Sequence, residues 1–161
     1  MLSLFEKHNL PLHVFRLSGI YGPGRSAIDS VLGGTARRVY KANHAFNRIH
    51  VDDIAQTLLA SMLAPQGGEI YNLADDQPAP SHDVIAYACE ILGLEPSPLI
   101  DIEDADLSPM ARSFYNDYKI VINNKIKETL GVNLLYPDYK AGLDACAKEL
   151  REKSIQISIN S

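Results

Sequence analysis

Two stretches of the sequence have the spacing Tyr-x-x-x-Lys, which supports proton transfer when both side chains share a helix face. They are Tyr115–Lys119 and Tyr136–Lys140. Residues i and i+4 are neighbours on a helix, and a lysine ammonium beside a phenol lowers the phenol pKa. Pro137 should begin a helix and leave Tyr136 outside it, while Tyr115 lies at the ragged end of a short helix. We therefore interpret both matches as coincidences and predict no catalytic residue in this chain.

The densest polar cluster is the stretch from Asn47 to Asp53. His50 with the two aspartates that follow could form a metal site or an acid–base pair. In a strand, however, His50 and Asp52 share a face, and Asp53 can cap the next helix. We favour structural roles for these residues and predict no metal site; Arg48 is the member best suited to touch a ligand.

A glycine-rich turn, from Gly19 to Gly24, follows an apolar strand. A dinucleotide-binding loop would open directly into a helix and would be followed about 20 residues later by an acidic residue. Residues 39–44 contain no carboxylate. The sequence therefore favours a tight turn over a phosphate loop.

Two arginines are further candidates for ligand contact. Arg25 follows the glycine-rich turn at the C-terminal end of a strand, where ligands bind in open α/β sheets, and a guanidinium suits phosphate or carboxylate. A solvated loop arginine explains Arg25 equally well. Arg112 lies in a short amphipathic segment, where it can line a pocket or pack along its stem.

The elements that must position these residues alternate between strands and helices. Apolar and β-prone residues predict strands at 12–17, 46–51 and 69–73, with a further extended segment at 99–102. Capping and breaking residues predict helices at about 28–40, after Asp52 or Asp53, from Ser81 to Gly93, from Ser108-Pro109, from Asn124 to Gly131 and from Pro137, with residues 155–161 frayed. The second of these helices has an apolar stripe made of Ile54, Leu58, Leu59 and Met62.

This order predicts an α/β protein with a parallel sheet. The clear strands are too few for a complete one, since a parallel sheet is normally covered on both faces. Either further strands lie in the weak segments, or part of the sheet is missing.

Composition excludes several functions. The 161 residues have a formal net charge of −5 and no basic face, which argues against nucleic-acid binding. No apolar run approaches the roughly 20 residues of a membrane span, and the first residues lack the apolar core of a signal peptide. Cys89 and Cys146 lie in apolar helical stretches and form no CxxC pair, so we expect two reduced, buried thiols in a cytoplasmic protein.

Three ordered segments resemble the extended short-chain dehydrogenase/reductases, the NAD-dependent epimerase/dehydratase family. Residues 15–25 resemble that family's Arg-Pro-x-x-x-Tyr-Gly-Pro-Gly, residues 48–55 its Tyr-Ile-His-Val-x-Asp-Val-Ala, and residues 70–73 its Tyr-Asn-Leu-Gly strand. Residues 108–115 and 130–139 are similar to an atypical subgroup. The order and spacing of the three segments match, and the resemblance covers roughly residues 10 to 150.

The resemblance implies a fold class and a division of the chain. We expect the C-terminal fragment of a Rossmann-like, doubly wound parallel sheet plus a small, mostly helical substrate domain. Residues 1–161 would form a single partial domain, in which about 10–25 and 53–93 are the last strands and helices of the Rossmann sheet. About 26–52 and 94–151 would belong to the substrate domain. In the family, the glycine-rich nucleotide loop and the catalytic Tyr-x-x-x-Lys precede the Tyr-Gly-Pro segment, so Leu2 to His8 would be the end of the catalytic helix.

Site residues also follow from the resemblance alone. The turn Ser18, Gly19, Ile20 and Tyr21 matches the stretch that lies against the nicotinamide end of NAD. The segments that help to form the substrate cleft contain three arginines, Arg25, Arg48 and Arg112. Family members that act on sugar nucleotides often have a phosphate-binding arginine two residues before the position of Arg48, and here that position is Phe46. A sugar-nucleotide substrate is therefore in question.

Three hypotheses follow for function. The chain is a truncated oxidoreductase-like protein, inactive and without cofactor when alone; it is half of a split NAD- or NADP-dependent enzyme that works with an N-terminal half; or it is a non-enzymatic interaction module. The strand at 12–17 would lack a neighbour on one side. We therefore expect a homo-oligomer, or a separate N-terminal half, to cover the open sheet edge, and no nucleic acid or membrane as a partner.

Overall fold

The computed structural model describes Lys7, residues 11–64 and residues 67–159; the proposed helix end at Leu2 to His8 lies largely outside these residues. The described chain contains six strands and six helices. The strands are β1 (His13–Leu17), β2 (Gly19–Tyr21), β3 (Arg38–Tyr40), β4 (Arg48–His50), β5 (Glu69–Leu73) and β6 (Leu99–Asp101). The helices are α1 (Ala27–Leu32), α2 (Val51–Leu63), α3 (Ser81–Leu92), α4 (Pro109–Ser113), α5 (Asn124–Leu130) and α6 (Tyr139–Ile159).

The strands form three parallel pairs, β1 with β5, β2 with β4 and β3 with β6. The chain changes partner at Ser18, whose amide donates to Leu73 O at 3.0 Å, whereas the next amide, of Gly19, donates to Asn47 O at 3.1 Å. A Cβ at Gly19 would lie 3.2 Å from that same Asn47 oxygen, so glycine permits the close approach. The mixed α/β fold with parallel strands that the sequence predicts is confirmed.

Two stretches differ from the sequence prediction. Residues 19–21 form β2 rather than a turn, because they pair in parallel with β4. The expected helix over 28–40 ends at Leu32, because Gly33 and Gly34 follow and Gly34 has a φ of +67°, a conformation that favours glycine. Residues 38–40 then become β3, which pairs with β6.

Helix α2 begins two or three residues earlier than expected, because its cap is His50 rather than Asp52 or Asp53. The Nδ1 atom of His50 accepts a hydrogen bond from the Asp52 amide at 3.2 Å. Asp53 points inward instead, because its carboxylate accepts from the amides of Leu135 and Tyr136 at 2.7 and 3.1 Å. The carboxylate therefore ties α2 to the segment that precedes α6.

The remaining helix signals are largely confirmed. Gly93 and Gly131 end α3 and α5 with φ of +67° and +65°, and Ser108 accepts from the Ala111 amide at the start of α4. Ser81 is the first residue of α3 and makes no capping hydrogen bond, contrary to expectation. Helix α6 begins two residues after Pro137 and continues to Ile159, past the expected fraying at residue 155.

The core lies between helices α1, α3 and α6 and the strands. Leu143 of α6 and Ile28 of α1 are almost fully buried there, together with Val84 of α3. Gly142 lets α6 approach β2, since a Cβ at Gly142 would overlap the Tyr21 hydroxyl. The result is a continuous core on this side of the molecule.

Helix α2 buries polar residues and exposes apolar ones. Asp53, Thr57 and Ser61 are its buried residues. Of the expected apolar stripe, Ile54 packs at the edge of the core, whereas Leu58, Leu59 and Met62 are exposed, together with the adjacent Leu63. Within the described residues, no other element covers this apolar surface.

Candidate functional site

Arg48, the first residue of β4, lies between two concave surfaces. Its Nη1 atom donates to the carbonyls of Phe46 and Ala79 at 3.0 and 2.8 Å. Burial lowers the pKa of this guanidinium, and the nearby carboxylate of Asp75 opposes the shift. The Arg48 guanidinium is therefore fixed in place by backbone carbonyls. Its Nη1 atom is used in these bonds, and its other nitrogens are not.

The larger concave surface is a cleft of about 1300 Å³ at the C-terminal end of β1. All four residues that the sequence assigned to the cofactor line it: Ser18, Gly19, Ile20 and Tyr21. Across from them lie Phe114 and residues 119–122, which follow α4. The cleft is thus at the strand ends, where ligands bind in open α/β folds.

The second concave surface is a pocket of about 570 Å³ whose charged lining consists of three arginines, Arg25, Arg37 and Arg48, and one carboxylate, Asp29. Arg37 also donates to Asp106 O at 2.9 Å. Tyr139 and Ser81 supply hydroxyl groups to the same wall. This arginine pocket brings two of the three predicted substrate-binding residues together, and its charge suits an anionic group.

The third predicted substrate-binding residue, Arg112, forms hydrogen bonds with backbone carbonyls. Its guanidinium donates to Ile102 O at 3.0 Å and to Ala105 O at 2.9 Å, so it fixes the segment that leads into α4. These bonds give Arg112 a packing role, and substrate contact by Arg112 stays a prediction.

The glycine-rich turn provides no phosphate cradle. The Gly22 amide donates to Arg25 O at 3.2 Å, and the Arg25 amide donates to Gly22 O at 3.0 Å, so these amides are already used within the turn. The N-terminus of α1 is occupied by its own Asp29, whose carboxylate accepts from the Ser26 amide at 2.7 Å and the Ser26 hydroxyl at 2.6 Å. An anion there would meet a carboxylate.

Neither Tyr-x-x-x-Lys stretch lies in one helix. Residues 115–119 follow the end of α4, and the Lys119 ammonium pairs with Asp117 at 2.7 Å. Tyr136 precedes α6, and the Lys140 ammonium lies over the Tyr87 ring, 5.3 Å from its centre. Burial also raises the pKa of the Tyr21 phenol, so Tyr21 keeps its proton near neutral pH.

His50 is buried as part of the core. Its ring contacts those of Tyr21 and Tyr136, and its Nε2 lies 3.8 Å from Cys146 Sγ. Burial lowers the pKa of His50 and raises that of the Cys146 thiol to about 11, so both are neutral near pH 7. Within residues 11–64 and 67–159, the His, Cys, Asp and Glu side chains form no group of three that could hold a metal ion.

Two further polar residues were not among the site residues that the sequence analysis predicted. Asp75 follows β5, is 2% exposed, and neither carboxylate oxygen makes a hydrogen bond of normal geometry. Burial raises its pKa to about 7, although Arg48 opposes this shift. Asn47 uses both side-chain atoms to hold the cleft wall. The one signal available in sequence was position, because both residues directly flank strands that end at the cleft.

Comparison with known proteins supports the fold. No protein-family model matches the chain. It is 31% identical to Protein YeeZ of Escherichia coli over 138 residues, which cover 81% of this chain and 44% of YeeZ. It is 55% identical to a conserved protein of unknown function from Silicibacter pomeroyi, with a TM-score of 0.83, over 89% of this chain and 50% of that one.

Solved sugar-nucleotide enzymes have the same fold at low identity. The dTDP-glucose 4,6-dehydratase of Bacillus anthracis, solved with NAD, matches with a TM-score of 0.69 and 18% identity over 94% of this chain and 48% of that one. The chain thus spans about half the length of each of these relatives. No helix among the described residues is long and apolar enough to cross a bilayer. The chain has the fold of the C-terminal half of an extended short-chain dehydrogenase/reductase, that of the NAD-dependent epimerase/dehydratases.

Proposed function

We propose that this chain forms the substrate-side half of an NAD- or NADP-dependent oxidoreductase or epimerase, and that it needs an N-terminal nucleotide-binding half for catalysis. In this proposal about 10–25 and 53–93 complete the nucleotide-binding sheet, and about 26–52 and 94–151 form the substrate domain. The cleft beside Ser18–Tyr21 receives the nicotinamide end of the cofactor. The substrate extends from there toward Arg48 and Arg25.

The observation that carries the proposal is the β1–β5 pair. Within the described residues it is a parallel sheet of only two strands, and no second strand pairs with β1. Parallel sheets are normally larger and covered on both faces. An open strand edge presents unpaired backbone groups that favour the addition of another strand. A further strand beside β1 is therefore the physically expected neighbour.

The exposed side of α2 supports the same neighbour. Leu59, Met62 and Leu63 are 61, 81 and 81% exposed, whereas the inward positions of this helix are polar. A contiguous exposed apolar surface marks an interaction site. The N-terminal half would cover this helix face and the β1 edge together.

The residues at the cleft fit the nicotinamide end of a dinucleotide. Ile20 is partly exposed and offers an apolar surface for a ring, and the Ser18–Gly19 backbone approaches the cleft without a bulky side chain. The cofactor would supply hydride exchange. The chain's own residues would orient the ring and exclude water, while the proton-transfer residues would come from the other half.

Complementation with the relative from Silicibacter pomeroyi tests the proposal. The part of that protein that this chain does not cover is co-expressed with this chain, and the complex is measured by light scattering and by NADH fluorescence titration. We expect a one-to-one complex that binds NADH, whereas each part alone binds at least tenfold more weakly. A stable monomeric chain that captures no partner, or a complex without NADH binding, would contradict the proposal.

A matched pair of substitutions identifies the surface. Met62→Asp places a charge in the expected contact and should weaken assembly at least tenfold. Ile155→Asp changes an equally apolar, exposed residue on α6 and should leave assembly within twofold. This chain could instead form homodimers without the second part, and Met62→Asp could dissociate them. That result would favour a self-associating interaction module.

A further inference from the structure

We infer that the cleft selects a small carbonyl or hydroxyl compound with an uncharged aromatic or branched alkyl group, rather than a sugar nucleotide. This inference rests on the proposed function, because it names the substrate class of the same cleft. It follows from one wall of the cleft, the segment of residues 119–123, which we call the isoleucine wall.

The isoleucine wall presents consecutive apolar side chains to the cleft. Ile120, Val121 and Ile122 all line it, and Ile120 and Ile122 are 50 and 70% exposed, whereas Asn123, the last residue of the wall, is buried. Three branched apolar residues therefore border the ligand space from one side.

Asparagine side chains hold this wall at both ends. The Oδ1 atom of Asn47 accepts from the Val121 amide at 2.8 Å, and its Nδ2 atom donates to Lys119 O at 2.5 Å. The Nδ2 atom of Asn123 donates to Ala74 O at 2.8 Å and to an Asp76 oxygen at 2.7 Å. These bonds attach the wall to the residue before β4 and to the residues after β5. The backbone of the two isoleucines is therefore held in place beside the cleft.

An aromatic cluster supports the segment that leads to the wall. The centre of the His44 ring lies 4.6, 5.4 and 5.9 Å from the ring centres of Phe46, Tyr115 and Tyr118. Both nitrogens of this buried histidine lack a hydrogen-bond partner. Burial lowers the pKa of His44, which favours the neutral imidazole at this place. Phe46 thus lines the cleft from within an apolar group.

Three cations line the cleft, Arg16, Arg48 and Lys119. Lys119 pairs with Asp117 of the same cleft at 2.7 Å, and Arg48 Nη1 donates to two backbone carbonyls, so the exposed Arg16 is the cation at the cleft that is left for a ligand among the described residues. A pyrophosphate needs charge-assisted hydrogen bonds from cations that face it. The apolar lining of the cleft includes Ile20, Phe114 and the two isoleucines of the wall. These side chains suit a ring or a branched alkyl group of the ligand.

Methyl NMR on the full chain tests the inference with acetophenone and UDP as probes. We expect acetophenone to shift the methyl signals of Ile20, Ile120 and Ile122 saturably, and UDP to leave them unmoved. Ile122→Thr should raise the acetophenone dissociation constant at least fivefold, with Ile120→Thr as a second variant. Ile155→Thr, on α6, should change it less than twofold.

Three results would overturn the inference. UDP could shift these methyl signals saturably where acetophenone does not, or the wall variants could leave acetophenone binding unchanged. Alternatively, the complementary part of the Silicibacter pomeroyi protein could shift the same signals and abolish the acetophenone response, which would make the wall an interface between halves. Failure of that part to assemble contradicts the proposed function alone, because acetophenone binding is measured on this chain by itself.

Discussion

The helices α1, α3 and α6 on one side of the molecule and the helix α2 on another side bury opposite kinds of residue. On the first side, apolar side chains such as Leu143 and Ile28 point inward and are at most 2% exposed. On the second, α2 turns Asp53, Thr57 and Ser61 inward and exposes its leucines. The first side is stabilised by packing within the chain, whereas the second exposes the apolar surface that we propose a second polypeptide covers.

The largest expected change in the free energy of unfolding is at the side formed by α1, α3 and α6. Leu143→Ala removes a side chain that is 1% exposed, and such truncations lower the free energy of unfolding by about 2–5 kcal/mol. Urea unfolding followed by circular dichroism measures this change. A loss below about 1 kcal/mol would show that the α6 packing contributes little, and the comparison would fail.

An intermediate effect is expected at Asp75, as a function of pH. Its pKa rises from 3.8 to about 7 on folding, so the unfolded chain loses this proton first and the stability of the folded state falls as pH rises from about 4 to about 7. Asp75→Asn removes this loss. We expect the variant to exceed the parent by roughly 1–3 kcal/mol at pH 8 and to lose that advantage near pH 4.

Denaturant unfolding at both pH values checks the Asp75 prediction. Asp76→Asn is the matched control, because Asp76 is partly exposed, pairs with Lys127, and has a pKa that is lowered rather than raised. An Asp75→Asn advantage that does not change with pH would contradict the assignment of a protonated buried carboxyl.

The smallest effect is expected on the open side. Leu59→Ala makes the same chemical change as Leu143→Ala, but Leu59 is 61% exposed, so the free energy of unfolding of the isolated chain should change by less than about 0.5 kcal/mol. In the complex with a complementary half, the same substitution should weaken assembly. A large loss in the isolated, monomeric chain would mean that α2 is already covered by this chain.

Local sequence signals predicted most of the elements but misjudged their partners. The strands at 13–17 and 69–73 and the glycine ends of α3 and α5 were readable, because each depends on a few adjacent residues. Residues 38–40 were expected to be helical and became β3, because pairing with β6, about 60 residues away, overrode their local preference. The inward turn of Asp53 was likewise invisible, since its partners are the amides of Leu135 and Tyr136.

The candidate site divides in the same way. The resemblance placed Ser18–Tyr21 together on one wall, where the structure also has them, and it named Arg25 and Arg48, which share the arginine pocket. It did not indicate that Arg112 holds backbone carbonyls, or that Asn47 holds the isoleucine wall. Those roles depend on which atoms approach across the fold, and spacing along the chain does not encode them.

The sequence by itself determined the α/β class, the strands at 13–17 and 69–73 and the likeness to one half of a larger enzyme fold, because periodicity, caps and ordered motifs are local properties. The tertiary structure alone decided which faces are complete. Leu59 of α2 and Leu143 of α6 are the same residue type, yet packing turned the former outward and the latter inward. The burial of Asp75 beside Arg48 and the opening of the cleft were decided in the same way, because burial is a property of the assembled chain.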